Sequence, residues 1–517
     1  MEMWDIASVA WSEALGGEPS DGSDFFECGG ESILAADLAR RLSDALGISI
    51  PGELAIICPR FGDLVDALED IYPPKGGESV VDSADGKTAS LPILPGQRNV
   101  LMQRESARVQ GRVPIPHTLP AQVLKFSREV DPSQIVAAVD RIVRSQPVLR
   151  AIFHGIDSHV EIANVSALPS IGAVFITQDT LLRDAREMAS TPFELADVPR
   201  LRLAFFYERD PDCLCAVVVL DHLAADGTSW QIFMDDLGRE LAQPSTERKL
   251  ADRDSRNRSI LALEIGDVWK ASHGPPLQEH VDFWREELDG NIVPSTSLVG
   301  QRNSDHDPTD ARPVTSRFAV SREEWAQLER RAAEWRASPF ALMLAALWRT
   351  NWQISGRYDS VVTPSPNRRG RGSEEVICSL AHAVVRRTQL RGPAEMRTLT
   401  TEAMRIMRRS APHERVPYSI LLEELQPSLF GLMRSSPWLV LNFMRVRSLG
   451  PWWGELPLQE THLLTQEHWN SAVVACSITV QRDGTMDLEI CAGADVLQPE
   501  RVECICDGVV NSLLSVL

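Results

Sequence analysis

Eight consecutive apolar residues, Cys213-Leu214-Cys215-Ala216-Val217-Val218-Val219-Leu220, break off at the polar cluster Asp221-His222-Leu223-Ala224-Ala225-Asp226-Gly227-Thr228-Ser229-Trp230. Such a run, rich in β-branched residues and followed by a glycine, reads as a buried strand and then a sharp loop. The amphipathic stretch from Trp230 to Leu241 reads as a helix after it. His222 then stands at a strand end, where a scaffold can hold a titratable imidazole rigidly. A lone histidine in such a place is more often a satisfied structural residue than a catalyst, so its surroundings carry the weight.

At 517 residues, 44% of them hydrophobic, the chain is expected to build more than one compact unit with a sizeable core. No apolar run approaches the length of a membrane span, and Met1 is not followed by a basic and then apolar secretory pattern. A cytoplasmic protein is expected, with no membrane partner. The nine cysteines are scattered, and the Cys213/Cys215 and Cys504/Cys506 spacings fit neither a zinc ribbon nor a thioredoxin-like motif. Buried, reduced thiols and no metal are the expectation. The formal charge of −20 is uneven: residues 1–72 hold 15 acidic residues against Arg40, Arg41 and Arg60, a net −12. An acidic head argues against nucleic-acid binding and for docking onto basic protein surfaces.

Residues 1–72 read as a small helical bundle. Ile6, Val9, Ala10 and Ala14 recur at helical spacing before Gly16-Gly17; Leu34, Leu38 and Leu42 recur before Gly47; Leu64, Leu68 and Ile71 mark a last helix. Between the first two lies Asp24-Phe25-Phe26-Glu27-Cys28-Gly29-Gly30-Glu31-Ser32. The double glycine permits a tight turn, and Ser32 falls at a helix start, where amides and dipole favour a phosphate. An N-cap is the competing role for such a serine. Residues 73–92 lack periodicity and read as a flexible linker.

The stretch ending at Ser32 resembles the phosphopantetheine-attachment motif of peptidyl carrier proteins, Asp-x-Phe-Phe-x-x-Gly-Gly-x-Ser. His222 to Gly227 resembles the His-His-x-x-x-Asp-Gly signature of nonribosomal peptide synthetase condensation domains, with Asp221 in place of the first histidine. Weaker likenesses keep the family's order: Leu94-Pro95-Gly96-Gln97-Arg98, Arg144 to Phe153, Val281 to Arg285, Asn367 to Arg371 and Val440 to Phe443. Val376 to Ala383 stands where the family has Ile-Gly-x-Phe-Val-Asn-Thr, with Cys378 for the glycine and His382 for the asparagine.

The resemblance implies a small four-helix bundle carrier domain (1–72) and an α/β condensation domain of two chloramphenicol-acetyltransferase-like lobes in a V shape (93–270 and 271–517). It implies 4'-phosphopantetheine on Ser32 and an acyltransferase that passes an aminoacyl or peptidyl group to an amine or hydroxyl. His222 is the expected acid–base residue, and Gly227 gives the arm room to pass. Asp226 belongs to the same catalytic signature; as a structural ion pair it would take Arg386 or Arg387 as partner. Asp221 and His382 are expected on the substrate tunnel. The implied partners are an adenylation enzyme, a phosphopantetheinyl transferase, and an acceptor carrier protein or free small nucleophile. Two rivals stand beside this reading. Asp226-Gly227-x-Ser229-Trp230 also looks like the superfamily's epimerases, whose Glu-Gly-His-Gly-Arg-Glu signature is missing at Asn367 to Glu374. The departures at Asp221, Cys378 and His382 fit a non-catalytic recruitment platform.

Overall fold

The computed structural model describes residues 3–71 apart from 27, 29–31 and 47–53; 90–104 apart from 95, 99, 102 and 103; 119; 121–209 apart from 156–158, 165–172, 176–186 and 189; 212–298 apart from 272–274 and 289–295; 313–364; 373–425; 438–446; 453; 458–463; and 473–517 apart from 495. Gly29-Gly30, most of the expected linker and Asn367–Gly372 therefore lie outside the described residues.

The N-terminal bundle consists of α1 (Met3–Leu15), α2 (Ser32–Leu46), the short α3 (Leu54–Ile57) and α4 (Phe61–Ile71). Its core is aromatic at the centre. Trp11 meets Phe25 and Phe61 edge-on at 5.9 and 5.2 Å, and Leu38, Leu42, Leu64 and Leu68 close around them. The apolar stripe of α1 is Ala7, Ala10 and Trp11, whereas Val9 is 56% exposed. The indole, not the valine, sets which face turns inward.

Two α/β lobes follow. Strands β1 (Ser90–Pro92), β2 (Gln122–Ser127), β3 (Ala151–Phe153), β4 (His159–Ile162), β5 (Ala173–Phe175), β6 (Leu201–Arg209) and β7 (Asp212–Leu220) lie in the first. The last three residues of the expected linker are thus a strand, paired antiparallel with β4. The helices of this lobe are α5 (Pro132–Ser145), α6 (Gly227–Ala242) and α7 (Glu247–Ala271), with α8 (Pro275–Leu288) leading out. The second lobe holds β8 (Pro313–Val320), α9 (Arg322–Glu334), α10 (Pro339–Ser355), β9 (Val361–Pro364), β10 (Ala383–Arg386), α11 (Met396–Ser410), α12 (Tyr418–Leu425) and β11 (Trp438–Arg445). β12 (Leu458–Leu463), β13 (Val473–Val480), β14 (Met486–Gly493) and α13 (Pro499–Leu514) complete the chain.

The first lobe is built on the sheet β12-β2-β7-β6-β5, antiparallel except for the β5–β6 pair. β7 is central, and its apolar run is explained by burial on both faces. Leu214, Ala216, Val218 and Leu220 face the core under α5 and α6; Cys213, Cys215, Val217 and Val219 face a second cluster with Phe193 and Phe206. The second lobe is built on β10-β9-β11-β13-β14-β8. Its α10 is buried without a break from Ala341 to Trp348, as a helix enclosed by neighbours must be.

The lobes exchange pieces. β12, from the C-terminal part of the chain, pairs with β2 in the first sheet, and Val376, Ile377, Cys378 and Trp453 belong to the first lobe's core. The division at 270/271 therefore does not describe the layers. Edge pairing and apolar burial draw these segments across, and no local pattern in them points to the other lobe.

Candidate functional site

At the end of β7 the Asp221 amide donates to the Arg200 carbonyl at 3.1 Å, and the Ala224 and Ala225 amides both donate to the Asp221 carbonyl at 3.0 Å. This tight turn leaves Asp221 buried and His222 half-buried. His222 Nδ1 lies 2.9 Å from the Ala225 carbonyl oxygen, which can only accept. Nδ1 therefore carries a proton, and in the neutral ring Nε2 is the nitrogen with the free lone pair.

Asp221, expected on the substrate path, is 0% exposed. Arg200 Nη1 donates to one carboxylate oxygen at 3.0 Å; Arg104 Nη2, at 3.3 Å, and the Leu223 amide, at 3.1 Å, donate to the other. A carboxylate suits this position because two guanidiniums close on it, and the triad braces the turn from below.

Asp226 caps α6. Its Oδ1 accepts from the Ser229 amide at 3.0 Å and faces the Ser229 hydroxyl at 2.9 Å, while Oδ2 accepts from the Leu380 and Ala381 amides at 3.1 and 3.3 Å. The Ser229 hydroxyl accepts in turn from the Asp226 and Cys378 amides. The expected partner Arg386 is engaged elsewhere, in a buried pair with Glu414, and Arg387 donates to the Leu288 carbonyl. Amides of a second-lobe segment thus supply the donors that an arginine was expected to give. Further along that segment, Gln146 Nε2 donates to the Glu375 carbonyl at 2.9 Å and its Oε1 accepts from the Ile377 amide at 3.0 Å. Residues 375–381 form a strap held on the first lobe by Gln146, Ser229 and Asp226.

Gly227 is exposed at the first position of α6, outside the left-handed region, and a Cβ there would meet nothing within 4 Å. Packing does not require glycine at this point. His382 is half-buried, and its Nε2 donates to the Glu414 carbonyl at 2.7 Å; burial holds its pKa below the ordinary histidine value. Ser32 is the first residue of the 15-residue α2, far in sequence from His222. That position fits a phosphodiester, since a helix N-terminus offers amides and a positive dipole end.

Gln146, Arg104, Arg200 and Glu414 owe their roles to partners distant in the chain, which no local pattern marks. Only Ser229 carried a local signal, since serine three residues after an aspartate N-cap completes a cap. Among the described residues no group of three or more His, Cys, Asp or Glu side chains could hold a metal ion.

Comparison with known proteins gives this geometry a family. Residues 117–517 match the condensation domain family, and residues 9–68 match the phosphopantetheine attachment site family. The chain belongs to the condensation domain family. Its N-terminal bundle is a phosphopantetheine-bearing carrier. A linear gramicidin synthase of Brevibacillus parabrevis is 22% identical over 445 residues, covering 82% of this chain but only 6% of that protein. Malpinin synthetase of Mortierella alpina is 22% identical over 435 residues, 82% of this chain and 5% of that protein. The fold is shared with the condensation domain of the monacolin K polyketide synthase MokA (TM-score 0.65, 15% identity, 82% of this chain and 96% of that one). It is shared as well with the X-domain from teicoplanin biosynthesis (0.65, 18%, 85% and 96%) and the epimerization domain of tyrocidine synthetase B (0.60, 15%, 84% and 98%). Fold alone does not choose among these activities. Among the described residues no helix is long and apolar enough to cross a membrane.

Proposed function

We propose that the chain transfers an aminoacyl or peptidyl group, held as a thioester on the carrier, to an acceptor amine or hydroxyl, with His222 as the residue that handles the acceptor's proton. The observation that carries this reading is the committed Nδ1 of His222, which makes Nε2 the accepting nitrogen of the neutral ring, half-buried at a braced turn. Phosphopantetheine on Ser32 would supply the acyl carbonyl in activated thioester form. As the acceptor N–H or O–H attacks that carbonyl, the proton must leave the nucleophile, and His222 Nε2 accepts or orients it. The carbon–sulfur bond then breaks, and the proton ends on the departing thiol. Asp226 acts as a positioning residue, since its carboxylate is filled by the helix cap and the strap amides. An adenylation enzyme, a phosphopantetheinyl transferase and a second carrier or free nucleophile are the partners this chemistry requires. Epimerisation ranks second, because Asp226-Gly227-Thr228-Ser229-Trp230 fits that branch as well.

The test starts with the full chain loaded by a phosphopantetheinyl transferase and an acyl-coenzyme A. Intact-protein mass spectrometry should show the mass gain in the parent and in His222→Ala, and none in Ser32→Ala. Transfer to a small amine should fall roughly 10²–10⁴-fold in His222→Ala. Transfer at the parental rate overturns the site; stereoinversion with α-deuterium uptake in deuterated water, without acceptor, promotes the epimerase reading.

A further inference from the structure

Helix α6 holds the strap at two points. Near its start, Ser229 accepts from the Cys378 amide and Asp226 from the Leu380 and Ala381 amides. Roughly 15 Å further along the same helix, at a rise of about 1.5 Å per residue, stands Asp236, which is 2% exposed. A carboxylate buried so deeply needs partners. Arg253 of α7 donates to both of its oxygens, at 2.5 and 2.7 Å, and Arg239 of α6 to one of them. Its Oδ2 also accepts from Gln146 Nε2 at 3.0 Å.

Gln146 caps α5 at its C-terminal end, is 0% exposed, and uses every polar position of its amide. Nε2 donates to Asp236 and, at 2.9 Å, to the Glu375 carbonyl; Oε1 accepts from the Ile377 amide at 3.0 Å and from Asn257 Nδ2 at 3.3 Å. A carboxamide turned the other way would set its oxygen against Asp236, and a charged acceptor makes that arrangement the costlier one. The Asp236 charge thus keeps the amide nitrogen on its own side and the oxygen on the side of Ile377. Between Ile377 and Ala381 the strap is tied again at Cys378 and Leu380, so a slip at Ile377 runs along a stretch too short to absorb it. Asp226, 1% exposed, then loses donors that water cannot replace.

We propose that Asp236 is a positioning residue for acyl transfer: through the Gln146 amide it sets the register of the strap, and the strap presents the amides that hold Asp226 and the turn carrying His222. This rests on the acyl-transfer reading above. Buried against Gln146 and two arginines, Asp236 touches neither acyl group nor acceptor, so its effect falls on the rate of the loaded complex and not on acceptor affinity.

Exchanging the two groups in the full, loaded chain tests this. Gln146→Glu sets a second carboxylate against Asp236, Asp236→Asn removes the charge at constant shape, and the double variant returns one amide and one carboxylate to the joint with their places exchanged. Each single change is expected to lower kcat for transfer to a small amine roughly 10- to 100-fold, the scale of a small misplacement at a reacting centre, with acceptor KM held within about twofold. The double variant should recover at least about threefold over Gln146→Glu, because groups in one network couple. Hydrogen–deuterium exchange of the peptide spanning residues 375–381, followed by mass spectrometry, should quicken in both single variants and slow again in the double variant. A parental kcat in Asp236→Asn, no recovery in the double variant, or faster strap exchange with kcat unchanged overturns the proposal. Should Gln146→Glu fail to fold, Asp236→Asn decides alone, by kcat and strap exchange together. Parental transfer in His222→Ala counts against the acyl-transfer reading instead, and strap exchange in the same variants still judges the joint.

Discussion

Gly227 separates the demands of folding from those of the site. A methyl group there enters open space, and the backbone is one any residue adopts. Gly227→Ala is therefore expected to unfold within a degree or so of the parent, because surface changes away from special features stay within roughly ±0.5 kcal/mol. If the carrier's arm passes close to Gly227, as proposed, acyl transfer should nevertheless fall; thermal melts beside transfer rates on one preparation check both halves. Parental transfer in Gly227→Ala would remove the glycine from the site. Its neighbour Asp226 is the opposite case: both of its carboxylate oxygens are engaged by the helix cap and the strap.

At the scale of elements, the strap 375–381 and the crossover through Trp453 show how one lobe is fastened to the other. Trp453 donates to the Met234 carbonyl on α6 at 3.1 Å and sits directly over Gly238, where a Cβ would meet the indole at 2.6 Å. Gly238→Ala is expected to lose about 1–3 kcal/mol by overpacking, measurable as a lower urea midpoint. In Trp453→Ala the same Gly238→Ala change should cost much less, because the clash is gone; a cycle of four proteins tests that coupling. Equal costs in both backgrounds would mean the helix, not the indole, resists the methyl.

Across the whole molecule, stability in the second lobe rests on polar groups gathered at the turn after α11. Arg386 and Glu414 are 1% and 2% exposed and are joined by Ser410. Replacing the acid in Glu414→Ala leaves the guanidinium buried and unpaired, an expected loss of about 3–5 kcal/mol by urea unfolding; a loss under about 1 kcal/mol would place Arg386 in water. Beside them His280 and His413 meet Nδ1 to Nδ1 at 2.9 Å, with His413 stacked on Phe283 at 3.9 Å. One ring must donate and the other accept, so two imidazolium ions cannot hold this contact. Burial places both pKa values below the ordinary 6.5, with Glu279 opposing and Arg415 and Arg409 reinforcing. The unfolded chain binds the protons more readily, so this contribution is present above about pH 6.5 and is lost as pH falls to the depressed folded values. The melting temperature should decline over that window, and less steeply in His280→Gln; identical slopes in parent and variant would assign the decline to other groups.

The carrier helices, the strand before His222 and the helix after it were legible because each is set by local chemistry. Apolar spacing, glycine stops and an aspartate cap act within a few residues of one another, so the order of residues carries them. The attachment and condensation motifs were legible for the same reason. Residue order could not show that Asp221 turns inward onto Arg104 and Arg200, or that Asp226 is served by amides near residue 380. Nor could it show that Gln146 holds the strap or that Asp24 of the acidic carrier meets Arg336. These pairings join groups far apart in the chain, and whether a buried charge meets a guanidinium or an amide is decided only when packing has removed the water.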